Sequence, residues 1–455
     1  MVVRRPARAE SGGVTPQRDY LALVPFAEPD LWYDLRSTGG ETPNSGIARY
    51  VAYAQAAEAA KLDALFKADF LGFDKHHLRH DPSMLTEPLA VTAALAAVTQ
   101  RIGLVVTAST SFNLPYNVAR QIATLHYVSG GRAGWNAVTS YLGEVDFGPV
   151  AFGTPTERYQ KAAEFVEVVL KLWSGWDADA LSYPTDGPPV VDVERIRDTD
   201  HVGEHFSVQH ALDVSRVHED LPVVFQAGAS EDGVRFAARF GEAIFVATPD
   251  LAHARDYYDS VKKLVVANGR HPDSLRVFPG VRTFVADTED EAREIYQDVF
   301  AKEDFYDERR KFVKREGPAI DLDGLELDDV VPPQRIPSRE TMLAHTRRIS
   351  RGLLLHDILL ANPGITVRRF LERLHGGGHL LAIGTPEQVA DLFAEWFTNR
   401  ACDGFTLSGG NSFARFTGEV VPLLQSKGVV HDDYRGATLR ANLGLDQHPL
   451  ALSRT

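Results

Sequence analysis

The feature that most constrains the fold is a rhythm: short apolar runs separated by stretches of helical periodicity, along most of the 455 residues. Residues 102–107 (IGLVVT) form a continuous β-branched run of the kind expected in a strand buried on both faces. Similar runs occupy 20–26 (YLALVPF), 64–68, 133–138, 223–227 (VVFQA), 243–247 (AIFVA) and 404–407. Helical patterns fall between them: 47–62, opened by Asn44-Ser45-Gly46, then 87–100, 115–128, 156–173, 231–240, and from Gly384-Thr385-Pro386 to Arg400. Strands alternating with helices imply parallel βαβ units, and these seven runs, one short of eight, favour an α/β fold of the TIM (β/α)8 barrel type over an open sheet.

Two regions break the rhythm within what reads as a single domain over 1–455. Residues 178–220 are rich in Pro, Asp and Gly with little periodicity. Residues 297–378 run from the charged stretch KEDFYDERRKFVKRE through an acidic loop, Pro332-Pro333 and an Arg-rich helix to Gly376-Gly377-Gly378. Long insertions in α/β proteins are commonly lids or oligomer contacts, and 297–378 is the candidate lid.

Composition narrows the function classes. Acidic residues outnumber basic ones, 62 to 48, for a formal charge of −14, so a phosphate backbone is repelled on average and nucleic acid is not expected as a partner. The single cysteine, Cys402, leaves no internal disulfide and suits a reducing compartment. Neither a secretory apolar region nor a run of membrane-spanning length is apparent, and the expectation is a soluble cytoplasmic protein.

Among motifs, there is no Walker loop, no G-x-G-x-x-G between a first strand and helix, and no H-E-x-x-H. The cluster Lys75-His76-His77-Leu78-Arg79-His80-Asp81 groups imidazoles with a carboxylate, as a metal-dependent hydrolase on a barrel would; a polar loop after the second strand is the plainer reading, and no metal ligands are assigned. Phe225-Gln-Ala-Gly-Ala-Ser-Glu-Asp-Gly233 runs from a strand through small residues into a helix. Its N–H groups and the Ser230 hydroxyl form a natural phosphate cradle, although an ordinary N-cap uses the same residue. Asp69 follows the second strand and Thr107-Ala-Ser109 closes the third, at the strand ends where barrels build their sites. The densest signal is Ser129-Gly-Gly-Arg-Ala-Gly-Trp-Asn-Ala-Val-Thr-Ser140, whose small residues let a backbone approach a flat ligand while Asn136 meets its polar edge.

SGGRAGWNAVTSY, with LFKADFLGF, EPLAVTAALAAVTQRIGLVVTASTSFNLPYNVARQIATL, ERYQKAAEFVEVVLKLW, PVVFQAGASEDGVRFAARFGEAIFVA and GTPEQVADLF…DGFTL, resembles a flavin monooxygenase family over most of residues 45–408. That family includes the nitrilotriacetate, dibenzothiophene-sulfone and pristinamycin-type enzymes of the luciferase-like superfamily. The resemblance implies a TIM barrel that binds reduced FMN (FMNH2) supplied by a separate NAD(P)H:flavin reductase. It implies O2 as co-substrate, a peroxyflavin, oxygenation of a small organic substrate, and a homodimer or homotetramer. It also implies cofactor contacts at Asp69, Thr107, Asn136, Tyr159, Ala229 and Ser230, with His76, His77 and His126 as candidate acid–base or peroxide-stabilising groups. A flavin- or deazaflavin-dependent dehydrogenase of the same superfamily is the alternative. The chain departs from the family pattern at Pro25–Tyr33, where a His- and Trp-containing segment is usual, and at Ala229-Ser230 in place of Ser-Ser. It departs again at Pro155 and at Leu125-His126-Tyr127.

Overall fold

Parallel strands close into a ring in the computed structural model, which describes residues 19–29, 32, 46–69, 71–72, 86–140, 143–147, 153–216, 218–228, 230–300, 305–346, 349–374 and 378–448. The strands are β1 (Ala22–Pro25), β2 (Ala64–Lys67), β3 (Gly103–Ser109), β4 (Ala133–Val138), β5 (Val223–Ala227), β6 (Ala243–Val246), β7 (Arg276–Val285), β8 (Leu380–Gly384) and β9 (Gly404–Gly410). Hydrogen-bonded neighbours run β1-β9-β7-β6-β5-β4-β3-β2. A parallel bridge between Phe26 and Phe66 closes that order into an eight-stranded barrel, with β8 standing outside it on β7. Helices α1 (Ile47–Ala59), α2 (Pro88–Ala96), α3 (Pro115–Val128), α4 (Pro155–Trp173), α5 (Glu231–Phe240), α6 (Leu251–Ala267) and α7 (Glu289–Phe300) follow successive strands, with α12 (Pro386–Thr398) before β9.

Local chemistry explains where elements begin. Thr154 caps α4: its hydroxyl accepts the Glu157 N–H while the Glu157 carboxylate accepts the Thr154 N–H, and Pro155 takes the first turn, where no N–H is needed. Strand β7 was not located by the sequence pattern, because Pro279-Gly280 interrupts it. Its first part pairs with β6 up to Val246↔Pro279, and its second pairs with β8 from Val281↔Leu380. The proline sits where one partner ends and the next begins, so its missing N–H breaks no continuous ladder.

Alternation along the strands divides two cores. Val224 faces outward into the layer shared with α3 and α4, whereas Val223 and Phe225 face the barrel axis. Five phenylalanines, Phe26, Phe66, Phe225, Phe245 and Phe278, fill the interior, with neighbouring ring centroids 5.4 Å apart for Phe26–Phe66 and 5.6 Å for Phe26–Phe245. Below them the chain after β9 returns as a plug of Leu439, Leu443 and Leu445. A Cβ on Gly103 would stand 2.4 Å from Leu439, so that strand must carry glycine for the plug to enter. Arg440 beside it is buried against the Glu242 carboxylate, which also accepts the Val224 N–H at 3.0 Å. The plug lay outside every element assigned from sequence.

The two insertions differ. Residues 178–220 form two short antiparallel pairs, Leu181–Ser182 with Val190–Val191 and His201–Val202 with Ser207–Val208. The longer one carries helices α8 (Phe305–Glu316), α9 (Arg339–His345), α10 (Ile349–Ala361) and α11 (Val367–Glu372) around its own core of Val313, Met342, Leu355, Leu359 and Phe370. No helix among the described residues is long and apolar enough to cross a membrane.

Asp63 ties the seam where β1 meets β2. Its carboxylate accepts the Leu23 N–H at 2.7 Å, its own N–H donates to the Leu23 carbonyl at 2.9 Å, and His431 Nε2 lies 2.9 Å from its second oxygen. Burial works to lower the His431 pKa, but the Asp63 charge and hydrogen bond outweigh it and hold the imidazole above its ordinary value. A histidine raised in the folded state stabilises fully below its unfolded pKa and loses that contribution as pH rises through the folded one. His431→Ala is therefore expected to cost about 1.5–3 kcal/mol at pH 6 and much less at pH 9, measured by urea unfolding of both proteins at each pH.

Candidate active site

The carboxyl ends of β3, β4 and β5 bring the expected polar residues together. Thr107 and Asn136 are register partners on β3 and β4, 5% and 3% exposed. The Asn136 amide donates to the Thr107 hydroxyl at 3.0 Å, which turns its oxygen away from that bond. That oxygen is buried and accepts no hydrogen bond among the described residues. Beyond them, the Ser109 and Ser140 hydroxyls lie 2.7 Å apart and Asn113 donates to the Ser109 carbonyl at 2.8 Å, so both strand ends are held in place. The neighbours of Asn136 in its motif have structural work. Trp135 Nε1 donates to the Ala108 carbonyl at 3.1 Å. Arg132 donates to the carbonyls of Ala96, Thr99, Ile102 and Ser129 and to the Thr99 hydroxyl, clamping the end of α2 to β3.

A second group forms where β5 turns into α5. Ser230 caps α5 by accepting the Gly233 N–H at 3.2 Å. The Tyr159 hydroxyl reaches across from α4 toward Thr139 and Ser230; burial pushes its pKa up against the pull of those two side chains. A Cβ on either Gly228 or Gly233 would stand 2.8 Å from that hydroxyl, so both glycines are required for the approach. Arg158 supplies a nearby positive charge and Asp232 a negative one.

Two residues of this group were missed in the sequence. Gln226 is 1% exposed and its buried side-chain oxygen has no hydrogen-bond partner among the described residues; Tyr257 on α6 carries a buried hydroxyl in the same state. Burial, then the neighbouring Tyr159, drives the Tyr257 pKa far up. A glutamine inside VVFQA was a visible signal, since a strand buried on both faces seldom carries an amide without a task. Tyr257 gave none, because it belongs to an ordinary amphipathic helix.

The remaining candidates separate. Asp69 lies two residues beyond β2, on the same end of the barrel. His76, His77 and Ala229, with the rest of the His76–Asp81 cluster, lie outside the described residues. His126 is not brought to this group. It ends α3 at the opposite face of the barrel, its Nε2 3.1 Å from the Asp220 carbonyl and its ring 5.4 Å from that of His218. Burial first and His218 second push its pKa down to about 3, so it stays neutral and structural at physiological pH.

The barrel agrees with what the chain is similar to. The sequence profile of the luciferase-like monooxygenases matches residues 31–403. The chain belongs to that family. It is 36% identical over 405 residues to N-acetyl-S-(2-succino)cysteine monooxygenase of Bacillus subtilis (strain 168), covering 87% of this chain and 89% of that one. It is also 36% identical over 429 residues to nitrilotriacetate monooxygenase component A of Aminobacter aminovorans, covering 88% and 90%. A solved riboflavin lyase with modified FMN and riboflavin matches with a TM-score of 0.80 at 29% identity, over 96% of this chain and 100% of the other. Family membership makes this chain a flavin-dependent monooxygenase.

Gly228→Ala is expected to force the Tyr159 hydroxyl off Ser230. The expected result is a lower melting temperature together with a loss of FMN affinity of about tenfold, the scale of one lost hydrogen bond. Titration of FMN fluorescence checks it, and Gly418→Ala, with open space around it and no positive φ, serves as a control for the effect of an added methyl.

Proposed function

We propose that this monooxygenase is the oxygenase component of a two-component system, which takes reduced FMN from a separate NAD(P)H:flavin reductase and uses O2 to oxygenate a small organic substrate. One observation carries the reading: a buried, unpartnered Asn136 oxygen beside Thr107, at the end of the barrel that also holds the Ser230–Tyr159 cradle. A buried acceptor left unmatched costs about 1–3 kcal/mol, which a ligand N–H offsets. The flavin ring edge presents such an N–H between carbonyl acceptors.

In this reading Asn136 and Thr107 hold the ring edge, and Asp69 adds an acceptor near the ring or ribityl chain. The flavin phosphate belongs to the Ser230 hydroxyl, the N–H groups at Ala229 and the start of α5, the Tyr159 hydroxyl and the Arg158 charge. Helix α5 directs its positive end to that place. Gln226 and Tyr257 support Tyr159 and the glycine turn from behind. Reduced flavin, when bound, supplies two electrons to O2, so that one oxygen atom enters the substrate and the other leaves as water. The protein's share is to orient the substrate, exclude water through the 297–378 lid and move protons. His76 and His77, after β2, are the candidates for proton transfer. Reduced FMN reaches the site by diffusion or direct transfer. A cytoplasmic homodimer or homotetramer completes the proposal, and the buried lone thiol of Cys402 suits a reducing compartment.

Stopped-flow mixing of the protein and photoreduced FMN with O2 tests the reading. Reoxidation slower than that of free FMN is expected, with no turnover on NADH alone and turnover once a flavin reductase is added. Oxidation of a substrate by the flavin-loaded protein without O2 would instead favour the dehydrogenase alternative. Asn136→Ala should weaken FMN binding about 10- to 100-fold or return reoxidation to the free rate; unchanged affinity and rate remove Asn136 from the site.

A further inference from the structure

The barrel closes between β1 and β2 on sparse backbone pairing. The Asp63 N–H donates to the Leu23 carbonyl at one end of this seam and the Ala27 N–H to the Phe66 carbonyl at the other, each at 2.9 Å. Pro25 between them has no N–H to give. On the other side of β2, the ladder with β3 ends at Lys67↔Val106. Asp69, two residues later, therefore lies past the last rung on both sides, and side chains rather than strand pairing direct the backbone that carries it.

Two of those side chains form a buried ion pair. Alternation sends Phe66 to the barrel axis and turns Leu65 and Lys67 outward, under α1. Lys67 Nζ meets Glu28 Oε1 just beyond the Ala27–Phe66 bond, and the two residues are 0% and 1% exposed. The ammonium lies 5.9 Å from the ring centroid of Tyr50 on α1. The Tyr50 hydroxyl donates to Glu28 Oε2 at 3.0 Å and lies 3.1 Å from the Thr86 hydroxyl, beside the Glu87 cap of α2. One carboxylate thus ties together the ends of β1 and β2, helix α1 and the entry to α2. Dehydrating both charges consumes most of what such a pair gains, so apolar residues of the same volume would serve stability as well. What the pair adds is geometry, a contact of fixed direction where the ladders give none. Glu28 belongs to the stretch Pro25–Tyr33, where this chain departs from its family pattern, and Lys67 interrupts the apolar run of β2.

We propose, building on the flavin site above, that Glu28 and Lys67 are positioning residues of this oxygenase: their ion pair sets the height of the β2 end, so that Asp69 meets the flavin. The pair acts through Asp69 and not on the flavin itself. Tyr50 carries the same constraint to Thr86, which steadies the carboxylate from the helix side.

A mutant cycle on the full chain tests this, with FMN affinity read by flavin fluorescence. Glu28→Gln with Lys67→Met removes both charges at nearly constant volume; this variant is expected to keep its melting temperature and to lose FMN affinity about tenfold. Asp69→Asn should lose about as much, and the triple variant no more than Asp69→Asn alone, because the pair acts through that one residue. A folded pair variant with wild-type affinity overturns the proposal, and so do losses that add. If the pair variant does not fold, Glu28→Gln alone, of unchanged size, takes its place in the cycle. Wild-type protein without FMN affinity, or Asp69→Asn with full affinity, marks a failure of the flavin reading instead. Hydrogen exchange on the flavin-free protein then decides: faster exchange of the 66–69 amides in the pair variant supports the positioning role, and unchanged exchange refutes it.

Discussion

The filling of the barrel axis sets the conditions for everything above it. An eight-stranded barrel has room for side chains along its axis and none to leave empty, because voids forfeit both transfer energy and dispersion contacts. Here the five phenylalanines take the middle and the Leu439–Leu445 plug takes the amino-terminal end. Only the carboxyl end is left for a ligand, and its floor is partly the exposed side of Phe245. Polar groups at that level, Asn136 beside Phe225 and Arg282 above Phe278, are held at fixed height because the strands carrying them are pinned in register by the same packed rings. A cavity created at the plug would act on the site indirectly, by loosening that register.

Local signals were read well and long-range ones were not. Strands 133–138 and 223–227 and helices Pro115–Val128 and Glu231–Phe240 match the sequence reading residue for residue, since each is bounded by a glycine, a proline or a cap and is apolar on a fixed period. Thr107 was marked by its place at the end of an apolar run, and Asn136 by the small residues around it in the 129–140 segment. Three things were not legible. Strand β7 carries Pro279-Gly280, which locally spells a turn and works as a strand only because its partner changes there. The plug is a short helix, Leu439–Asn442, with no period long enough to notice; what selects Leu439 is the absence of side chains on Gly103 and Gly134, more than 300 residues earlier in the chain. His126 looked chemical because histidine titrates near neutrality, and only its burial against Asp220 and His218 reveals a packing role.

The exchange of partners along β7 also explains how the long insertion joins the barrel. Strands β2 to β5 and helices α4 and α5 hold the groups suited to a flavin, all within regular βα units. At β7 the ladder passes from β6 to β8, and β8 is the return of the long insertion. The opening between β6 and β8 lets insertion residues reach the barrel axis without breaking a backbone pairing. Arg351 and His379 arrive by that route, from a segment with its own hydrophobic core. The insertion can therefore vary while the regular βα half of the barrel keeps its geometry.

Charge acts on the barrel at two ranges. The whole chain carries a formal −14, a field that disfavours the approach of any anion. Salt screens exposed charges beyond about 8–10 Å, so the global repulsion governs encounter more than the bound state. At short range the N–H groups at the start of α5 and the Arg158 charge act against that field.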